Sequence, residues 1–143
     1  MADVILQSPY PPGAGHFWLK GNLHTHTSRS DGRLDIQDVV RRYRALRHDF
    51  LEISDHDRHS DYAGIDAGGM ILIPGSEVTA GGPHVLDIGG SAGVEGGQRQ
   101  RVIDRIIATG GLAVLCHPDW ERAFDHIPIR QLRALAGYCG IEI

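Results

Sequence analysis

The apolar residues of this chain recur with two different spacings, and these predict two kinds of secondary structure. Short, unbroken apolar runs favour β-strands, whereas apolar residues repeated every three or four positions favour helices. Ile36, Val39, Val40 and Tyr43 have helical spacing after Asp35, which can cap the helix. The same spacing predicts two more helices, at 102–107 and 129–135, and apolar runs predict strands at 17–23, 50–54, 70–74, 84–88, 112–116 and 140–143.

Strands and helices alternate along the chain, and this order favours a mainly parallel α/β sheet, either open or curved into a barrel. Residues 1–16 are rich in proline and glycine and predict an irregular arm with a short edge strand at 4–6. The folded domain is expected to span 17–143. Because the chain ends inside a predicted strand, we expect an incomplete sheet, whose apolar edges favour a homo-oligomer.

Composition and charge narrow the class of protein. The 143 residues are 41% hydrophobic, which is typical of one folded domain. A net charge of -4 argues against a broad nucleic-acid surface, so nucleic acid is an unlikely partner. The chain has two cysteines, no signal-like N-terminal segment and no apolar run near the roughly 20 residues that cross a bilayer. We therefore expect a cytoplasmic protein that does not enter a membrane.

Two histidines, one residue apart, stand at the end of the first predicted strand. On a strand, residues i and i+2 point to the same face, so His24 and His26 can aim both imidazoles at one ion. Asp31 follows shortly after and adds a carboxylate. Imidazole and carboxylate are the usual ligands of zinc, manganese and iron. A single pair of this kind also occurs by chance, so a metal site needs further ligands elsewhere.

Further candidate ligands stand at the ends of later predicted strands. His56, Glu77 and His117 each follow a strand, and His84 opens one. Loops at the C-terminal edge of a parallel sheet or barrel converge on one site. A lone buried histidine is usually a satisfied core residue, but burying many such groups without an ion costs several kcal/mol each. We predict seven metal ligands: His24, His26, Asp31, His56, Glu77, His84 and His117.

The residues around these ligands resemble the motifs of the PHP (polymerase and histidinol phosphatase) domain. The resemblance runs from about Trp18 to the end of the chain, and the motifs follow one another in the family's order. They are His24-Thr25-His26-Thr27-Ser28-Arg29-Ser30-Asp31-Gly32, Ser54-Asp55-His56-Asp57, Gly75-Ser76-Glu77, His84-Val85-Leu86 and Cys116-His117-Pro118.

This resemblance implies a distorted (β/α)7 barrel, here with about five of its strands, that holds two or three divalent ions of zinc, manganese or iron. It implies that His24, His26 and Glu77 bind one ion, and that Glu77 bridges to a second ion. The second ion would also bind His84 and His117, and a third would bind Asp31 and His56. The family normally adds an Asp-x-His motif near its C-terminus, and no such motif follows His117 in this sequence.

The resemblance also implies hydrolysis of phosphoric esters by a metal-activated hydroxide, on a small phosphomonoester such as a nucleotide or sugar phosphate. Asp55 is assigned a catalytic role, as a carboxylate that orients a ligand imidazole. Arg58 is assigned to the phosphate and His59 to the phosphate or the leaving group, although an ordinary exposed loop fits both equally well. The alternatives are a non-catalytic metal-binding or regulatory module, or part of a larger protein such as a polymerase-associated PHP domain. A proofreading nuclease is disfavoured by the acidic charge.

Several other residues receive simpler interpretations. The remaining histidines lack a strand-end position, so His16, His48 and His126 are predicted to lie on the surface. Cys116 is interpreted as a small apolar core residue, with thiolate ligation as the minor alternative. Asp119 and Trp120 are predicted to line the mouth of the pocket.

Overall fold

The computed structural model describes residues 13, 15–120 and 126–143. Nearly all of the predicted arm at 1–16, with its edge strand at 4–6, lies outside the described residues. Three helices and seven strands follow in the order β1 (Gly21–Asn22), α1 (Ile36–Ala45), β2 (Phe50–Glu52), β3 (Ile71–Ile73), β4 (Gly75–Val78), β5 (Val85–Ile88), α2 (Arg99–Ala108), β6 (Leu112–Leu115), α3 (Ile129–Ala134) and β7 (Gly140–Ile141).

The described strands form two sheets, which makes this a mixed α/β fold. The first sheet has the order β1-β2-β3 with parallel pairing, and the second has the order β4-β5-β6-β7. In the second sheet β6 and β7 are parallel, but the β4–β5 and β5–β6 pairs are antiparallel. The prediction of a mainly parallel sheet was therefore wrong for β5, because the turn between β4 and β5 is too short for a helical crossover.

The two sheets are continuous along the chain but form no closed barrel among the residues that the structure describes. Only Pro74 separates β3 from β4. A parallel bridge also joins His56, in the loop after β2, to Glu77 in β4. This bridge brings the ends of the strands in the two sheets together on one side of the molecule.

Each sheet has its own hydrophobic core beneath one helix. The apolar stripe of α1 packs on the first sheet, and α2 covers the second. The Asp35 carboxylate accepts a hydrogen bond of 2.8 Å from the Asp38 N–H, which confirms the predicted N-cap of α1. The most buried residues of the two cores are Val40, Leu51 and Ile53 under α1, and Val78, Val85, Ile103, Ile106 and Leu115 under α2.

The predicted first strand at 17–23 is much shorter than expected. Only Gly21 and Asn22 pair with β2, and Phe17 and Trp18 are 80% and 61% exposed. No described element covers these two side chains. The apolar run therefore does not form the buried strand that it predicted. No described helix has the length and apolarity needed to cross a membrane.

Candidate metal centre

The carboxylate of Glu77 lies at the centre of the predicted site. Glu77 is in β4 and only 1% exposed. Its Oε2 atom lies 3.4 Å from Nε2 of His24, 3.2 Å from Nε2 of His26 and 3.0 Å from Nδ1 of His56. The loops after β1 and β2 therefore deliver three imidazoles to one oxygen of the carboxylate.

The other oxygen of Glu77 faces two further imidazoles. Its Oε1 atom lies 2.9 Å from Nδ1 of His84 and 3.3 Å from Nε2 of His117. His84 reaches this edge although it opens its strand, because β5 is antiparallel to β4 and pairs Val85 with Val78. The same register, continued to β6, places His117 beside it. Glu77 thus divides five imidazoles into a group of three and a group of two.

Asp31 completes the set of residues predicted as ligands. Its Oδ1 atom lies 2.8 Å from Nδ1 of His26, and its Oδ2 atom lies 3.5 Å from Nε2 of His56. The structure therefore brings all seven predicted ligands together around one cavity of about 360 Å³, which Trp120 also lines. Asp119 is exposed and is not among the residues that line the cavity.

Asp55 fastens the loop that carries His26. Its carboxylate is buried and accepts hydrogen bonds from the Thr27 N–H at 2.7 Å, the Thr27 hydroxyl at 2.6 Å and the Ser30 hydroxyl at 2.7 Å. The sequence predicted that Asp55 orients a ligand imidazole. In the structure its described hydrogen bonds hold the loop next to His26, through the Thr27 N–H and the hydroxyls of Thr27 and Ser30.

The residues after this motif point elsewhere. Arg58 is exposed and does not line the cavity, so its assigned role at the phosphate stays a prediction. The His59 Nε2 atom lies 2.9 Å from the carbonyl oxygen of Gly90, to which it can donate a hydrogen bond. The ordinary loop interpretation therefore accounts for the described contact of His59.

The cluster shifts the proton affinities of its members in opposite directions. Burial disfavours the charged form of Glu77, but hydrogen bonds from His24, His26 and His84 outweigh it and hold the pKa of Glu77 well below its ordinary range. Burial lowers the pKa of His24, but Glu77 and Glu142 more than compensate and the net shift is upward. The hydrogen bond to Glu77 is the main cause of the raised pKa of His26. The site therefore favours positive charge around an ionised carboxylate.

The spacing of the donor atoms fits a divalent ion. Ligand atoms about 2.0–2.1 Å from a tetrahedral zinc ion lie roughly 3.3 Å apart. The Nε2 atoms of His24 and His26 lie 3.0 Å apart, and they lie 3.4 and 3.2 Å from Oε2 of Glu77. Nδ1 of His117 is buried without a hydrogen-bond partner within the described chain. Nδ1 of His56 is also buried and, although it lies 3.0 Å from Oε2 of Glu77, it is not aligned to form a hydrogen bond with it. The donor set of nitrogen and carboxylate oxygen suits zinc, manganese and iron.

His126 is a residue that the sequence interpretation placed on the surface by mistake. Its ring centroid lies 4.6 Å from that of His84 and 5.2 Å from that of His117, so these three histidines form a possible ligand group. Its Nε2 atom accepts a hydrogen bond of 3.0 Å from the His84 N–H, which occupies the lone pair a cation would need. The available signal was its position in the loop that follows β6 and His117.

Glu142 is a second residue that the sequence interpretation missed. Both of its carboxylate oxygens lie close to Nδ1 of His24, at 2.9 and 3.0 Å. The signal was the one used for the other candidates, since Glu142 directly follows β7. Cys116 is fully buried, and burial together with the charges of Glu77 and Glu142 raises the pKa of its thiol, which supports the apolar interpretation over thiolate ligation.

The fold is similar to that of a two-domain protein from Bacteroides vulgatus that contains a predicted PHP-like metal-dependent phosphoesterase. The two structures match with a TM-score of 0.60 at 20% sequence identity, over 94% of this chain and 48% of the other. This chain therefore spans about half the length of that neighbour. No family model and no curated protein sequence matches the present chain. At this identity the likeness establishes a shared fold.

Proposed function

We propose that this domain is a metal-dependent phosphoesterase that hydrolyses a small phosphomonoester, such as a nucleotide or a sugar phosphate. Two or three divalent ions of zinc, manganese or iron are its cofactors. The observation that carries the proposal is the buried Glu77 carboxylate, whose two oxygens face separate groups of imidazoles. A PHP-like (β/α)7 barrel of which this chain forms part belongs to the same proposal, and the similar fold of a predicted PHP-like phosphoesterase supports it.

Each residue of the cluster has a role in this proposal. One cation would be held by Glu77, His24 and His26, and a second by Glu77, His84 and His117. Asp31 and His56 are placed to hold a third. When bound, the cations neutralise the phosphate and lower the pKa of a water molecule toward neutrality, so that it can attack phosphorus.

Substrate binding depends on the cations and on the wall of the cavity. The residues that line the cavity in the described chain include no lysine or arginine. Within the part of the chain that the structure describes, the bound cations are therefore the proposed source of the positive charge that binds phosphate. Trp120 is 54% exposed at the edge of the cavity and offers an apolar surface to the leaving group.

Phosphatase activity with added manganese or zinc tests the proposal on a panel of phosphomonoesters. Replacing His26 with alanine removes one ligand, so we expect the rate to fall by at least about a hundredfold. His48→Ala is the matched control, because His48 packs on Tyr43 away from the cavity. Equal rates for wild type and His26→Ala would contradict the proposal.

A non-catalytic metal-binding or regulatory module is the second candidate function. Two observations favour it: the chain spans about half of its structural neighbour, and no cationic side chain lines the cavity in the described residues. Bound metal that raises the melting temperature, without turnover of any phosphomonoester, would support this candidate. Degradation of single-stranded DNA by the purified protein would instead indicate a nuclease.

A further inference from the structure

We propose that Glu142 is a positioning residue that fixes the tautomer and the orientation of His24, so that this ring presents Nε2 to a divalent cation. This inference rests on the proposed function only in taking His24 as a cation ligand. It adds to the site a carboxylate that directly follows β7, the strand most distant from His24 in the sequence.

The two nitrogens of His24 face different partners. Nδ1 lies 2.9 and 3.0 Å from the two oxygens of Glu142. Nε2, across the ring, lies 3.0 Å from Nε2 of His26 and 3.4 Å from Oε2 of Glu77. The ring is therefore held between a carboxylate on one side and the candidate cation position on the other.

The chemistry of imidazole then assigns the proton. A neutral imidazole has one N–H donor and one nitrogen lone pair, and an ionised carboxylate can only accept a hydrogen bond. In the neutral ring Nδ1–H of His24 therefore donates to Glu142, and the lone pair is left on Nε2, which faces His26 and Glu77. The hydrogen bond from Nε2 to Glu77 described above belongs to the doubly protonated ring. A carboxylate behind a ligand imidazole also makes the ring a stronger base and restricts its rotation.

Glu142 contacts His24 through the nitrogen that does not face Glu77. Both of its oxygens lie close to Nδ1, whereas Nε2 lies 3.4 Å from Oε2 of Glu77. Glu142 could alternatively form a ligand group with His24 and Cys116. The Cys116 thiol is fully buried and lies 3.9 Å from the carbonyl oxygen of Val114, to which it can donate a weak hydrogen bond. The geometry thus favours a positioning role over direct ligation.

The fold holds the Glu142 backbone in place. The Glu142 N–H donates a hydrogen bond of 2.9 Å to the carbonyl oxygen of Leu115, which continues the parallel pairing of β6 with β7. The same strand, β6, leads to His117. The pairing of β6 with β7 therefore positions His117, which faces Oε1 of Glu77. It also positions Glu142, whose partner His24 faces Oε2.

Zinc affinity, measured by competition with a chelator, tests this role. Glu142→Ala removes the acceptor, so we expect affinity to fall about 10–100-fold. Glu142→Gln keeps a carbonyl acceptor for Nδ1–H and should restore most of that loss. Glu95→Ala removes an exposed carboxylate from a loop outside the cavity and should leave affinity unchanged. Equal affinities of wild type and Glu142→Ala would overturn the inference.

Nitrogen NMR reports which nitrogen of the His24 ring carries the proton. This property would not change if Glu142 only stabilised the fold. Zinc is diamagnetic, so the spectrum can be recorded with and without it. We expect a protected Nδ1–H signal in wild type and Glu142→Gln, and its loss in Glu142→Ala. A proton on Nε2 in zinc-free wild type at alkaline pH would overturn the inference.

The two proposals fail in different ways. A wild-type protein that binds no zinc would refute the proposed ligand set. Even in that case, the tautomer of His24 in the zinc-free protein would show whether Glu142 orients the ring. In the cobalt-substituted protein, a thiolate-to-cobalt charge-transfer band that disappears in Glu142→Ala would identify a Cys116–Glu142 ligand group and overturn the positioning role. Absence of that band supports it.

Discussion

Glu52 is a buried carboxyl group outside the metal centre, and its replacement by glutamine makes a sharp prediction. Glu52 lies in β2 with no exposed surface, and neither of its oxygens has a hydrogen-bond partner within the described chain. Burial, together with the nearby charge of Asp87, raises the pKa of Glu52 to about 10. The side chain is therefore protonated at neutral pH in the folded protein, whereas it is ionised in the unfolded chain.

The size of the effect follows from these two pKa values. Because the folded pKa is raised, the contribution of Glu52 to stability is fully present below its unfolded pKa of 4.5 and is lost as the pH rises toward about 10. The loss is about 1.4 kcal/mol per pH unit between these limits. By pH 7 it reaches about 3 kcal/mol. Glutamine has nearly the same shape and does not titrate, so Glu52→Gln escapes this loss.

Urea denaturation of wild type and Glu52→Gln, from about pH 5.5 to pH 8 with a chelator present, measures the difference. We expect the stability of Glu52→Gln relative to wild type to increase by about 1.4 kcal/mol for each pH unit. Glu95→Gln is the control, since Glu95 is exposed, and its difference from wild type should not change with pH. A constant difference for Glu52→Gln would show that Glu52 is ionised in the folded protein and refute the reasoning.

Three further predictions concern the metal centre. Gly32→Ala would place a Cβ atom 2.5 Å from the His26 carbonyl oxygen, so calorimetry should show weaker zinc binding, whereas Gly140→Ala, with its nearest contact at 3.6 Å, should bind normally. Asp55→Ala breaks three hydrogen bonds to the loop before Gly32 and should lower the melting temperature by several degrees; an unchanged value would contradict its role. The raised pKa values of His24 and His26 stabilise the zinc-free protein below about pH 6.5 and cease to do so as pH rises through the folded values. Zinc must displace these protons, so the zinc-induced rise in melting temperature should be larger at about pH 8 than at about pH 6, and equal rises would exclude proton displacement.

The structure groups the residues that the sequence proposed as ligands, because their signal is local. His24 and His26 follow one strand, and His56 and His117 follow two others, so a position at a strand end was enough to group them. His84 was the exception, since it opens its strand. Only the antiparallel register of β5, which the short turn after β4 imposes, explains why it reaches the same edge.

The residues that sequence reasoning missed depend on contacts between distant parts of the chain. Glu142 meets His24 only because β7 pairs with β6 and the two sheets turn their strand ends toward each other. His126 approaches His84 across a separation of 42 residues. Apolar runs also overestimated the first strand at 17–23, because a run shows which residues are apolar but not whether another element covers them. Contacts between distant parts of the chain therefore explain why Glu142 and His126 were missed and why the strand at 17–23 was predicted too long.

The claim that Glu77 divides its ligands between two cations can be tested most directly by anomalous scattering from crystals grown with zinc. The account predicts two separate peaks. One should lie at bonding distance, about 2.0–2.2 Å, from Oε2 of Glu77 and Nε2 of His24 and His26, and the other at that distance from Oε1 of Glu77 and the rings of His84 and His117. A single peak, or peaks that do not contact Glu77, would contradict the account.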